Sequence, residues 1–435
     1  MADELQLPIE KLVYGGDGLG HVDGNTVFVP YVLPGEEIRA AVKSRKKNLV
    51  WAKPLQILKP AAERLQPPCP HFAVCGGCHY QHAAYDAQVK FKIEILRETL
   101  SRMGGVQWTG EIAPHTAQPW HYRNRAQWAV RNANPRALGY FMPGTNAILP
   151  VDRCDVLSPA LADTFLRLQE LARNGMLPGE ALEIEAFVDC ADSKIALNVA
   201  FKEFTRPVAE LIELFRNTVP ALHSLLLLNQ KTNRFELSGP GYLLQEAGGY
   251  QFRVGHLSFF QVNRFLVEDL LKTVLSDAKG GLALDLYAGV GFFTLPLTKT
   301  FERVVSVDSN LSATRNLREN AETADRSIVS QHVQTEEFLK TATERPDFVV
   351  LDPPRAGLGQ APARKLADLG STEIAYLSCD PSTLARDLAI LMQTPRKPAD
   401  LPNVAHRYEI QSIDFFDLFP QTYHIETLVR LRRVT

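Results

Sequence analysis

The sequence predicts a multidomain chain in three parts. These are a small N-terminal β-barrel of the oligonucleotide-binding type, an α+β central region, and a C-terminal α/β domain of Rossmann-like build. Three observations predict it. Short β-branched and aromatic runs broken by Gly-rich turns fill the first part, up to about residue 60. A cysteine-rich stretch then interrupts the pattern, and from about residue 255 apolar runs alternate with helical stretches, the signature of a parallel sheet covered by helices. The length of 435 residues suits two or three domains. The expected division is 1–62, 63–250 and 251–435.

In the first part, "VDGN" between "GLGH" and "TVFVPYV" is a hairpin signal, because Asp-Gly tolerates the positive φ of a tight turn. From Arg39 to Lys53 the charges are Arg39, Lys43, Arg45, Lys46, Lys47 and Lys53, with no acid among them and Trp51 alongside. Cations for phosphates and an aromatic for stacking suit nucleic acid. A solvated edge strand kept soluble by lysines is the competing reading.

The second part opens with "PPCPHFAVCGGCHYQH". Cys69, Cys75 and Cys78 are spaced C-x5-C-x2-C, with Cys154 far behind in "VDRCDVL". Four thiolates can hold one 4Fe-4S cluster, and spacing alone slightly favours zinc. Tyr85, Val89, Ile93, Leu96, Leu100 and Met103 then recur at steps of three and four, one face of a helix over about 83–103. In "HYRNRAQWAVR", Arg123, Arg125, Trp128 and Arg131 alternate as RNA-contacting residues on a strand would, or as a solvated strand face. Beyond a helix near "SPALADTFLRLQELARNG", pattern assigns nothing further up to residue 250, and Cys190 is expected in the core.

In the third part, "LDLYAGVGFFTLPL" reads as strand, Gly-rich turn and helix start. Gly289 and Gly291 let backbone approach a ligand at the strand's carboxyl end. Asp308 ends the next strand, "VVSVD", where an acid can accept from a ribose diol. The last segment, "YEIQSIDFFDLFPQTYHIETLVRLRR", reads as an antiparallel hairpin closing the sheet edge. Cys379 ends the strand "IAYLSC", and Glu426 lies in an apolar terminal strand where a charge has no packing reason to be.

Composition limits the partners. Lys and Arg total 47 against 49 Asp and Glu, so the net charge of -2 excludes a bulk polyanion binder but not local basic patches. "MADELQLPIEKL" lacks the apolar core of a secretion signal, and no run of about 18 apolar residues occurs. A cytoplasmic monomer is expected, without a membrane partner.

The strand-end loop "LDPPRAGLG", with Asp352, together with the glycine turn resembles class I S-adenosylmethionine-dependent methyltransferases. Arg355 follows the prolines where enzymes acting on exocyclic amines tend to carry an aromatic, which argues against amino-group methylation. Carbon 5 of uracil is a poor nucleophile. A thiolate added at carbon 6 activates it, and a base must afterwards remove the carbon 5 proton. Cys379 and Glu426 are placed for those two tasks; a buried inert thiol and an exposed acid are the alternatives.

The motifs "DGLGHVDGNTVFVPYVLPGE", "CPHFAVCGGC", "SFFQVN", "LDLYAGVGFFTLPL", "LDPPRAG", "LSCDPSTLARDL" and "HIETL" together resemble the RNA 5-methyluridine methyltransferase family over the whole chain. The likeness is to its 23S ribosomal RNA branch, which carries an N-terminal TRAM domain and an iron-sulfur cluster. The resemblance implies Cys379 as nucleophile and Glu426 as base. It implies Gln261, Tyr287, Asp308, Gln334 and Asp352 as contacts to S-adenosylmethionine, Gln334 standing where relatives often have Asn. It implies a 4Fe-4S cluster on Cys69, Cys75, Cys78 and Cys154, with a structural or RNA-positioning role. Phe259, beside Phe260 and Gln261, would stack on an extruded base. The implied substrate is 23S rRNA, with tRNA second. A non-catalytic iron-sulfur RNA-binding protein, or a cytosine carbon 5 enzyme, are the rivals.

Overall fold

A computed structural model describes residues 3–393 and 405–434. The N-terminal part is a six-stranded sheet in the order Glu4–Pro8, Glu37–Lys46, Leu49–Lys59, Asn25–Pro30, Asp17–Val22, Lys11–Leu12. It curls on itself: the Glu10 N–H donates to the Leu19 carbonyl at 2.8 Å. Gly20 permits this, since a Cβ there would lie 2.2 Å from the Pro8 carbonyl oxygen. Asp23 and Gly24, both at positive φ, form the hairpin turn. Leu7, Ile9, Val27, Val29, Ile38 and Val50 fill the interior.

The central part is a seven-stranded mixed sheet in the order Ile148–Pro150, Ala137–Phe141, Arg125–Arg131, Ala181–Val188, Ile195–Phe201, Leu222–Asn229, Arg234–Ser238. The helices Pro159–Arg173 and Val208–Thr218 contribute Leu161, Phe165, Leu168, Leu211 and Phe215 to its core. Cys190 is exposed rather than in that core, because it falls in the turn between Ala181–Val188 and Ile195–Phe201.

The C-terminal sheet has eight strands in the order Val329–His332, Phe301–Asp308, Gly280–Leu286, Phe348–Leu351, Glu373–Ser378, Glu426–Arg433, Tyr408–Phe416, Ile112–His115. The first five run parallel and Glu426–Arg433 is antiparallel to its neighbours. The terminal strands pair as a hairpin but do not close the edge. Ile112–His115, from the second part of the chain, lies outside them, parallel to Tyr408–Phe416.

Two further segments cross the expected division. The helix Tyr85–Gly104 shares a core with Pro381–Leu391, Leu96 and Leu100 meeting Leu384 and Leu388. A break at 250/251 would cut the hairpin Tyr242–Ala247 and Tyr250–Gly255, whose Leu243 and Phe252 bury with Leu270 and Phe292 of the C-terminal part. An amphipathic helix joins whichever apolar face fits it, so sequence position does not set domain membership. No helix of the described residues is long and apolar enough to cross a membrane.

Candidate active site

Backbone register gathers the site at one sheet edge. Leu286 pairs with Leu351, and Leu351 with Tyr376, so the next residues, Tyr287 and Asp352, leave the sheet side by side. The Asp352 N–H still donates to the Leu286 carbonyl, at 3.4 Å. Ser378 pairs with Thr427 in antiparallel sense, so one step further brings Cys379 opposite Glu426. Ligand sites of open α/β sheets lie at this carboxyl edge.

Local sequence shapes each wall. Tyr287, Gly289 and Gly291 all have positive φ. Glycine adopts that region freely, whereas Tyr287 is held there at a cost of about 1 kcal/mol or more. The Gly289 N–H donates to one oxygen of Asp308 at 2.8 Å, and the Asn310 N–H to the other at 2.7 Å. Val333 N–H donates to the Asp308 carbonyl at 3.2 Å, which places Gln334, at the head of the helix Thr335–Thr341, on the same rim. The Tyr287 hydroxyl bonds to Thr335 beside it. Asp285, beneath the turn, accepts from the Thr294 hydroxyl at 2.5 Å, and burial pushes its carboxyl up to about 7.

The acids are destabilised as anions. Asp352 is partly buried, and loss of hydration raises it to about 7 despite a hydrogen bond with the Gln261 side chain. Glu426 is raised well above the usual carboxylate range by burial and then by Asp352, with Arg355 opposing. Burial, Glu426 and Asp352 push the Cys379 thiol up to about 12, while Arg355 pulls it down. Arg355 is thus a cation facing both Glu426 and Cys379, and its guanidinium lies 3.5 Å from His424 Nε2. Burial and Arg355 push His424 down to about 3, so it stays neutral.

Beyond Cys379, Asp380 caps the helix Pro381–Leu391, accepting from the Ser382 and Thr383 N–H groups at 2.9 and 3.0 Å. Phe259 is 57% exposed, and with Arg123, Gln127, Glu185 and His256 it lines an open cleft of about 450 Å³. Trp128 is fully buried, its Nε1–H donating to the Tyr140 hydroxyl at 2.9 Å, and cannot stack on RNA. Arg125 is also committed inward, to Glu185 at 2.6 Å and to the Ser258 carbonyl at 2.6 Å. The strand alternates as expected, but its aromatic face is the one that meets the helices.

Cys69, Cys75, Cys78 and Cys154 line one cavity of about 300 Å³ with Tyr122, Arg123, Tyr140 and His424. The loop lies against Ala137–Phe141: the Gly76 N–H donates to the Phe141 carbonyl at 3.0 Å, and a Cβ at Gly76 would sit 2.7 Å from that oxygen. Burial and the neighbouring cysteines push Cys78 up to about 12, and burial raises Cys154 to about 11. The thiols ring the cavity, yet among the described residues no three His, Cys, Asp or Glu side chains converge as ligands of a single ion.

Sequence reasoning assigned no role to Tyr14, Asp285 or His424, and none to Arg355 beyond its place after the prolines. Asp285 and His424 lie within the motifs "LDLYAGVGFFTLPL" and "HIETL", whereas only the fold brings Tyr14 to the site.

Comparison with known proteins agrees with this geometry. A model of the "tRNA (Uracil-5-)-methyltransferase" family matches residues 84–434. An RNA methyltransferase of Aquifex aeolicus is 30% identical over 98% of both chains. A 23S rRNA (uracil(1939)-C(5))-methyltransferase of Alkalilimnicola ehrlichii is 29% identical over 99% of this chain and 97% of its own. Among solved structures, the Pyrococcus abyssi tRNA (uracil-54, C5)-methyltransferase, determined with S-adenosyl-L-homocysteine, has 24% identity and a TM-score of 0.75, covering 98% of this chain and all of that one. A sheet edge that gathers a cysteine, two acids and a glycine turn is therefore that of an RNA (uracil-5)-methyltransferase, the family to which this chain belongs.

Proposed function

We propose that the chain methylates carbon 5 of a uridine in 23S rRNA, with Cys379 as nucleophile and Glu426 as base. The observation that carries this reading is the register that sets Cys379 opposite Glu426, with Asp352 one strand away. S-adenosylmethionine supplies the electrophilic methyl group when bound; Gln261, Tyr287, Asp308, Gln334 and Asp352 would hold it. The Cys379 thiolate would add to carbon 6 of the uracil, and the ring electrons would make carbon 5 attack the methyl group, whose bond to the sulfonium sulfur breaks with S-adenosylhomocysteine as the leaving group. Glu426 then takes the carbon 5 proton, the double bond re-forms, and the sulfur leaves carbon 6 as thiolate. Phe259 would stack on the extruded base.

Among the relatives, the full-length match named for 23S rRNA favours that substrate. The expectation that an N-terminal barrel separates rRNA from tRNA enzymes loses weight, because the P. abyssi tRNA enzyme matches 98% of this chain, barrel included. A uridine in tRNA is therefore the second reading.

In the same proposal Cys69, Cys75, Cys78 and Cys154 would hold a 4Fe-4S cluster. Zinc draws four sulfurs to about 2.3 Å from one centre. Four thiols lining one cavity match in number the one thiolate that each iron of a 4Fe-4S cluster takes. Its role would be to brace the segment that carries Cys78 and His79.

Covalent capture tests the reading. With 5-fluorouridine RNA the base cannot remove fluorine, so a working nucleophile stays bonded. We expect an adduct on 23S fragments that survives denaturing electrophoresis and is absent in Cys379→Ala. An adduct on tRNA alone would reassign the substrate, and an adduct retained in Cys379→Ala would overturn the mechanism.

A further inference from the structure

The N-terminal barrel reaches the catalytic centre itself. Its turn Val13–Asp17 is closed by the Val13 N–H donating to the Asp17 carbonyl at 2.9 Å, with Gly15 and Gly16 at positive φ. The turn is wedged between two other parts of the chain. A Cβ on Gly16 would meet His79 Cβ at 3.4 Å and Tyr423 Cβ at 3.5 Å. The Tyr14 ring stands edge-on to Tyr423, 5.8 Å between centroids, and His79 packs on the other ring at 4.6 Å. Leu12 is buried in the same core as Leu384 and Leu388, and Lys11 pairs with Glu98 at 2.6 Å. From this seat the Tyr14 hydroxyl donates to Asp380 Oδ2 at 3.2 Å and lies 3.5 Å from the Cys379 carbonyl oxygen.

We propose that Tyr14 is a positioning residue for the methyl-transfer reaction, fixing the Cys379–Asp380 peptide and screening the Asp380 charge from the reacting thiol. This rests on the reading of Cys379 as nucleophile. Asp380 has two tasks on its two oxygens. Oδ1 caps the helix Pro381–Leu391, and Oδ2 receives Tyr14. Without the hydroxyl, Oδ2 loses that hydrogen bond, so the thiol's aim rests on the cap alone.

The charge argument points the same way. Cys379 is faced by Glu426 on the terminal strand, Asp352 and Arg355 on the Asp-Pro-Pro loop, Asp380 on its own segment and Tyr14 on the barrel. Asp380 adds to the raising of the thiol. A hydrogen bond to that carboxylate disperses its charge and eases thiolate formation. Tyr14 itself is raised above its ordinary value by burial and Asp380, so it remains a donor.

The test is Tyr14→Phe in the full chain, which keeps the ring against Tyr423 and removes only the oxygen. The readout is the rate of adduct formation on saturating 5-fluorouridine RNA across pH, with RNA and S-adenosylmethionine affinities measured separately. We expect a fall of about tenfold near neutral pH, narrowing as pH rises, with both affinities within about twofold of the parent. Asp380→Asn removes the charge that Tyr14 screens, so Tyr14→Phe added to it should cost less than it does alone. Parent-like rates in Tyr14→Phe at every pH would overturn the proposal, as would a loss confined to RNA affinity. A parent enzyme that forms no adduct would instead overturn the reading of Cys379, and this proposal with it.

Discussion

Cys379, Glu426 and Asp352 are each shifted toward the protonated form in the ligand-free chain. In the proposed mechanism adduct formation needs Cys379 ionised, so its rate should climb with pH from about 6 to 9, because a raised thiol ionises only as protons become scarce. A flat profile across that range would contradict the assignment. Asp352 also links to stability. Its folded pKa of about 7 lies above its ordinary value of 3.8, so the folded state binds more protons, and stability is lost as pH rises through 7. Asp352→Asn removes that charge. It should raise the melting temperature at pH about 8 while abolishing S-adenosylmethionine binding, seen by calorimetry; a lower melting temperature there would show that the carboxylate is stabilised by a partner. Phe259 and Trp128 separate in the same way. Trp128→Ala should cost about 3–5 kcal/mol in denaturant melts. Phe259→Ala should change stability by under about 0.5 kcal/mol and weaken RNA capture.

Two elements hold the nucleophile's neighbourhood. The helix Tyr85–Gly104 crosses Pro381–Leu391 so closely that a Cβ on Gly104 would lie 2.4 Å from the Ala385 carbonyl oxygen. Gly104→Ala should therefore force the helices apart, at about 1–3 kcal/mol in a denaturant melt, and slow adduct formation as Cys379 moves with its helix. Unchanged stability would mean that the crossing relaxes freely. The second element is the loop between Phe416 and Glu426. The His79 and Tyr80 N–H groups both donate to the Gln421 carbonyl, at 2.7 and 2.9 Å, and the Gln88 and Gln421 side chains bond at 3.0 Å. Lys92 and Asp417 form a fully buried ion pair at 2.7 Å. The segment bearing Cys78 thus grips the loop that delivers Glu426. The helix was readable from its apolar spacing. Its partner was not, because an apolar face states that something covers it and not what.

Across the whole molecule, exposed Lys46, Lys47, Lys53 and Trp51 on the barrel and the cleft at Phe259 present the charged and aromatic surfaces. Arg45 is partly spent on Asp3, and Arg39 on Gln56 and Glu4. Replacing Lys46, Lys47 and Lys53 by Gln should weaken RNA binding and flatten its dependence on salt, each lost phosphate contact lowering the slope by about 0.7–0.9. An unchanged slope would return the stretch to a solvated edge. The net charge of -2 does not oppose this, since docking responds to the field near the surface.

The sequence by itself determined the three kinds of architecture, the glycine turn and the C-x5-C-x2-C run, and it singled out Cys379 and Glu426. Each is a local signal: a period, a spacing, or a residue type at odds with its surroundings. Trp128 and Arg125 were misplaced because alternation names two faces of a strand without saying which is inward, and Cys190 because a free cysteine gives no sign that it lies in a turn. The tertiary structure decided that question, along with the edge strand Ile112–His115 and the approach of Tyr14 and Arg355 to Cys379. Each joins residues on separate segments of the chain, and only closure of the chain around a common core brings them within reach.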